Sequence, residues 1–123
     1  MKVAIDFGIS NTDLAILNKE KLIFHTFGGG DNKYMSIFDA NLQPYWQINS
    51  DAKGLDFKKN GNFLTYFEKL EGQFSESHRW IVMNSQMQEI DTLKCTSGLT
   101  DYHDMRVLEN GNYIIQALSL IHI

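Results

Sequence analysis

Two stretches decide the fold: Tyr34–Phe67, reading YMSIFDANLQPYWQ…LDFKKNGNFLTYF, and Trp80–Gln116, reading WIVMNSQMQEIDTL…YHDMRVLENGNYIIQ. Each runs apolar strand, polar turn, apolar strand, aspartate-bearing strand, Asn-Gly-Asn turn and final apolar strand. Phe38-Asp39 recurs as Met83-Asn84, 45 positions on, and Asn60-Gly61-Asn62 recurs as Asn110-Gly111-Asn112, 50 positions on. The spacing predicts four strands per unit: Tyr34–Phe38, Pro44–Ile48, Leu55–Lys58 and Asn62–Phe67, then Trp80–Asn84, Glu89–Cys95, Asp104–Val107 and Tyr113–Ala117. The Asn60-Gly61 and Asn110-Gly111 pairs suit type I′ turns, whose two central residues both need positive φ. Pro44 falls at a strand start, where its missing N–H costs little.

Outward from the repeat, residues 1–27 read as a β-meander. Val3-Ala4-Ile5, Leu14-Ala15-Ile16-Leu17 and Leu22-Ile23-Phe24 are short apolar runs parted by polar turns. Residues 28–32, three glycines followed by Asp31-Asn32, read as a linker. Glu68–His78 is a polar connection between the two units, and residues 120–123 form a tail that stops in mid-strand. Self-similarity at about 40–50 residues with four strands per unit is the pattern of a β-propeller, which closes with about four to eight such blades. The expected fold is therefore all-β: an N-terminal meander, then two four-stranded antiparallel propeller-like blades over residues 33–119, an incomplete propeller. The abrupt tail and the change of texture at the glycines suit a truncated or chimeric chain. Two blades alone would expose sheet faces, so self-association through those faces is expected.

Composition excludes several function classes. The 123 residues are 43% apolar, enough for a core, and the net charge is −4 with the 11 Lys and Arg scattered. No basic field for nucleic acid results. No run of about 18 apolar residues predicts a membrane-spanning helix. Asp6 interrupts the first apolar run, so the start does not read as a secretory signal. The single cysteine, Cys95, reads as a half-buried strand residue. His25, His78 and His122 lack metal-ligand spacing and are expected at the surface or in loops, so no metal site is expected.

His103 is the candidate chemical group. It lies in Asp101-Tyr102-His103-Asp104, expected where a loop enters the third strand of the second unit. A neutral imidazole there can act as nucleophile or as general acid and base, with Asp101 or Asp104 fixing its tautomer. The bland alternative is a loop histidine bonded to backbone. Trp46, Tyr45, Tyr66, Phe67, Trp80 and Tyr113 read as packing between sheets rather than as an aromatic ligand site.

Over residues 33–119 the chain resembles the arylsulfotransferase family of propellers. The likeness is strongest in Tyr102-His103-Asp104-Met105-Arg106-Val107-Leu108-Glu109-Asn110-Gly111-Asn112-Tyr113, set against a family pattern of xHDFxhLPNGNhhhh. The resemblance implies sulfuryl transfer from a phenolic sulfate ester to a phenol acceptor. A histidine is transiently sulfated, and further histidines and an arginine hold the sulfate. It implies His103 and Asp104 as catalytic residues, Tyr102 and Arg106 as substrate-binding residues, and no cofactor. It does not say whether His103 is nucleophile or sulfate ligand. The first unit departs from the pattern, with Leu55-Asp56-Phe57 where the second has Tyr102-His103-Asp104. A chain with one such histidine is expected to be inactive by itself. Members of that family are usually exported, and the compartment of this chain stays open.

A competing motif stands at the front. Asp6-Phe7-Gly8-Ile9-Ser10-Asn11-Thr12-Asp13 resembles the first phosphate loop of hydantoinase/oxoprolinase-type proteins of the actin-like ATPase superfamily. That likeness implies Asp6 on the metal side and Gly8, Ser10 and Asn11 around phosphate. The third reading is a non-catalytic β-repeat interaction module.

Overall fold

A computed structural model describes residues 11–17, 20–27, 34–49, 54–69 and 77–119, which form ten strands and no helix. In chain order these are β1 (Asn11–Leu17), β2 (Glu20–Phe27), β3 (Tyr34–Phe38), β4 (Pro44–Asn49), β5 (Gly54–Asn60), β6 (Phe63–Glu68), β7 (Arg79–Met83), β8 (Glu89–Leu93), β9 (Leu99–Val107) and β10 (Tyr113–Leu118). The protein is all-β, and among the described residues no helix could cross a membrane. Residues 28–32, most of the Glu68–His78 connection and the tail 120–123 lie outside the described residues.

The strands form three antiparallel sheets, ordered β1-β2-β3-β4, β5-β6-β7-β8 and β9-β10. Each follows chain order, with strands consecutive in sequence lying side by side. All eight strands expected in the repeat are present, but their grouping differs from the expected one. The units read at Tyr34–Phe67 and Trp80–Gln116 each straddle two sheets: β3 and β4 complete a sheet begun by β1 and β2, and β5 and β6 open the next. The sequence period is thus offset from the sheet by two strands. A periodic pattern carries no phase, and pairing supplies it: β2 lies against β3 with Ile23 opposite Phe38 and Phe27 opposite Tyr34.

The sheets pack face to face, and the alternation of side chains sorts each strand between two cores. Leu22, Phe24, Met35 and Ile37 of the first sheet meet Phe57, Leu64, Tyr66, Ile81 and Met83 of the second. Phe67, Trp80 and Val82 on the other face of the second sheet meet Met105, with Val107, Tyr113 and Ile115 packed against them. The middle sheet is therefore covered on both sides, and β6 and β7 read as nearly unbroken apolar runs for that reason. The outer strands β4 and β8 are mostly exposed. The first strands lie side by side, with β5 between β1 and β9.

Two hairpins show why Phe38-Asp39 recurs as Met83-Asn84. Asp39 Oδ1 accepts hydrogen bonds from the N–H groups of Asn41 and Gln43, both at 2.9 Å. Asn84 Oδ1 does the same for Gln86 and Gln88 at 2.9 and 3.0 Å. Each three-residue loop ends on a left-handed residue, Leu42 (φ 60°) or Met87 (φ 57°). The β9–β10 hairpin has the same loop, closed by Gly111 at φ 83°. The β5–β6 hairpin instead has a two-residue loop, Gly61-Asn62, between the paired Asn60 and Phe63. Only Gly61 takes positive φ there, as in a type II′ turn. The expected type I′ turns are therefore absent from both Asn-Gly pairs. The unequal loops also shift the repeat. Phe63 packs toward the third sheet, while Tyr113 and Ile115 face the second and stand where Leu64 and Tyr66 stand one sheet earlier. Alignment on the Asn-Gly-Asn triplets is one residue out for these strands, and one residue turns every side chain to the opposite face.

Candidate functional site

The site grows out of an irregularity in β9. Thr100 pairs with Ala117 and Met105 with Ile115, so Asp101, Tyr102, His103 and Asp104 lie opposite Gln116 alone. In the second sheet the same place on β5 holds a smaller irregularity, with Asp56 and Phe57 opposite Tyr66. Asp56 is left-handed there, at φ 49°. Extra residues in one strand break the alternation of faces and re-aim side chains. His103 thus lies inside a strand that begins at Leu99, not at the expected loop-to-strand junction.

The bulge fixes a dyad. Asp101 is buried, its side chain 5% exposed, whereas the His103 side chain is 66% exposed. His103 Nδ1 lies 2.9 and 2.8 Å from the two Asp101 carboxylate oxygens, and the His103 backbone N–H donates to Oδ2 at 3.3 Å. A carboxylate only accepts, so Nδ1 of the neutral ring carries the proton and Nε2 keeps its lone pair. The Asp101 carbonyl accepts a hydrogen bond from Trp80 Nε1 at 3.0 Å, which ties the dyad to the core of the second sheet. Tyr102 stacks on His103 with ring centroids 4.3 Å apart and leans on Phe67 at 5.9 Å. Of the two aspartates considered as partner, Asp101 holds the imidazole.

Asp104 and Arg106 belong to a separate charge cluster. Lys58 Nζ lies 2.8 Å from Asp56 Oδ2 and 2.9 Å from Asp104 Oδ1, bridging the second and third sheets. Arg106 Nε reaches Asp104 Oδ2 at 3.5 Å, with its side chain 74% exposed. The hydrogen bond from Lys58 lowers the Asp104 pKa against a smaller opposing effect of burial, and Arg106 adds to the lowering. Burial alone would lower the Lys58 pKa, but the two carboxylates outweigh it and raise it. Asp56 and Asp104, 48 positions apart, are thus equivalent residues joined by one cation.

Two further residues carry the junction. The Asn60 side chain donates to the Met105 carbonyl at 2.9 Å and accepts from the Val107 N–H at 3.0 Å, satisfying backbone groups along β9. Sequence alone marked Asn60 only as a turn residue. His78, expected at the surface or in a loop, lies in the connection just before β7 but is buried there, with its ring edge-on to Phe67 at 5.6 Å. Its Nε2 has no partner among the described residues. Cys95 follows β8 rather than lying in it, and its thiol reaches the Gln116 carbonyl at 3.2 Å. Of the alternative phosphate loop, Asp6, Gly8 and Ser10 lie outside the described residues, and Asn11 opens β1.

Comparison with models of known families, with curated proteins and with solved structures gives no match to this chain in any of the three.

Proposed function

We propose that residues 33–119 belong to an arylsulfotransferase-like β-propeller, with His103 the group that meets the sulfuryl centre of an aryl sulfate. The observation that supports this reading is the dyad: an exposed imidazole whose Nδ1 is occupied by a buried carboxylate, leaving Nε2 as the nucleophile or anion-facing atom. Face-to-face sheets with their first strands side by side agree with a propeller. Within this reading Asp101, rather than Asp104, positions the histidine, and Asp104 serves the junction between sheets. Tyr102 offers an aromatic surface beside His103 for an aryl group. Leu55 occupies on β5 the place of His103 on β9, so the second sheet contributes no equivalent imidazole. With one histidine of this type, the chain binds an aryl sulfate weakly and does not turn it over.

The test is titration with a chromogenic aryl sulfate, followed through the imidazole signals of His103 by NMR and through phenol release. The reading expects saturable perturbation of the His103 imidazole signals and no phenol release above the uncatalysed level. An aryl sulfate that perturbs other residues and leaves His103 unmoved would remove the sulfuryl assignment. Turnover that survives His103→Ala would remove it as well.

A further inference from the structure

His103 is held by two contacts of different kinds, and both lead back to one pair of residues in the second sheet. The hydrogen bond from Nδ1 to Asp101 sets the direction of that nitrogen but lets the imidazole turn about the bond. Stacking on Tyr102 sets the plane of the imidazole, with 22° between the two rings, but lets it slide within that plane. Together the contacts leave one orientation, and therefore one direction for Nε2. A site that must present one atom needs its supporting side chains locked in turn by packing and hydrogen bonds. The bulge lies opposite Gln116 alone, so its own sheet gives it little of that support.

The neighbouring sheet supplies it. Phe67 and Trp80 are cross-strand partners on β6 and β7, both fully buried, with ring centroids 5.3 Å apart. The carbonyl that accepts from Trp80 Nε1 belongs to the peptide group between Asp101 and Tyr102. That group is planar, so a single hydrogen bond steadies both residues that touch the imidazole. Phe67 bears on Tyr102 only, at an interplanar angle of 53°. Trp80, Asp101, His103, Tyr102 and Phe67 thus close a circuit, with two members on the second sheet and three on the third.

We propose that Phe67 and Trp80 are positioning residues for His103, so that the second sheet, which supplies no equivalent imidazole, orients that of the third. The assignment concerns the imidazole itself and does not rest on the sulfuryl reading. NMR of the whole chain tests it. Long-range nitrogen–proton correlation reads the tautomer, and the ring-current shift of the carbon-bound His103 protons reads the stack. Trp80→Phe keeps an aromatic ring in the core and removes the N–H. It lowers the ratio of Nδ1-protonated to Nε2-protonated neutral imidazole at least about threefold, and it moves the ring-current shift. Phe67→Leu moves that shift toward the one seen in Tyr102→Leu, where the stack is gone, and leaves the tautomer as it was. Leu64→Ala, buried on the other face of the second sheet, lowers stability in urea and leaves both signals in place. Signals unmoved in Trp80→Phe would overturn the proposal. Should that variant misfold, a stack unmoved in Phe67→Leu would overturn it as well. So would a Leu64→Ala chain whose His103 signals move as far, since loss of stability alone would then account for the effect.

Discussion

The second and third sheets are built from the same sequence pattern and do different things with it. On β5 the aspartate Asp56 follows Leu55, which packs into the core shared with the third sheet. On β9 the equivalent aspartate Asp104 follows His103, which stands out into solvent. The difference begins in the backbone. Two residues bulge opposite Tyr66 in one sheet and four opposite Gln116 in the other. The larger bulge buries Asp101, turns His103 outward and lets Tyr102 stack on it, although neighbours in a regular strand point to opposite faces. One copy of the module is thus used for packing and the other for a polar site. The aspartate common to both is kept for the junction, where Lys58 joins the pair.

The largest break in this comparison comes from Trp80, fully buried in the second sheet and bonded to Asp101. Trp80→Ala should cost about 3–5 kcal/mol in urea unfolding. Ile114→Ala, on a face of the third sheet that no described residue covers, should cost less than about 0.5 kcal/mol. Equal costs would mean that the two sheets are not differently covered. Asn60 comes next. Asn60→Ala leaves the Met105 carbonyl and Val107 N–H without their partner and should cost about 1–3 kcal/mol. Asn60→Asp restores only the acceptor for the Val107 N–H, so it should recover part of that loss.

Lys58→Met should cost about 1 kcal/mol at neutral pH, and its pH dependence sharpens the assignment of Asp104 to the junction. Asp104 has a lowered folded pKa, so its contribution is present above the ordinary aspartate value, about 4, and is lost as pH falls through the lowered one. Lys58 has a raised folded pKa, so its contribution is present below about 10.4 and is lost as pH rises through the raised one. The stability gap between the native chain and Lys58→Met should therefore be flat between these limits and shrink beyond each. A gap that persists in acid would detach Asp104 from Lys58. The smallest effect tests the hairpins: Leu42→Gly relieves a left-handed leucine at an exposed position and should stabilise the chain by about 0.5–1 kcal/mol, as a shift in urea midpoint.

Much of this was legible in the sequence, for identifiable reasons. The strands were, because alternating apolar residues and turn residues are local signals. That each unit carries an aspartate on its third strand was legible, but the sequence correspondence set Leu55-Asp56-Phe57 against Tyr102-His103-Asp104, one residue away from the pairing of Asp56 with Asp104 that Lys58 marks. The phase of the sheets was not, since nothing local says whether Tyr34–Phe38 opens a sheet or continues one. His103 was singled out in the sequence with its partner left open between Asp101 and Asp104, because only the bulge decides which one faces the ring. Lys58 and Asn60 gave no signal as junction residues, since their partners Asp104, Met105 and Val107 lie more than forty positions away. His78 lies in a connection, one of the two places expected for it, but its burial there was not legible, because it depends on Phe67 of the neighbouring strand.

The claim on which the site rests is that a buried carboxylate fixes the imidazole of His103 in one form. Long-range nitrogen–proton NMR correlation on the neutral ring measures it directly. The account predicts a proton on Nδ1 and a bare Nε2 in the native chain, with Asp101→Ala releasing the ring to a mixture of tautomers. A neutral ring protonated on Nε2 in the native chain, or one unmoved by Asp101→Ala, would contradict it.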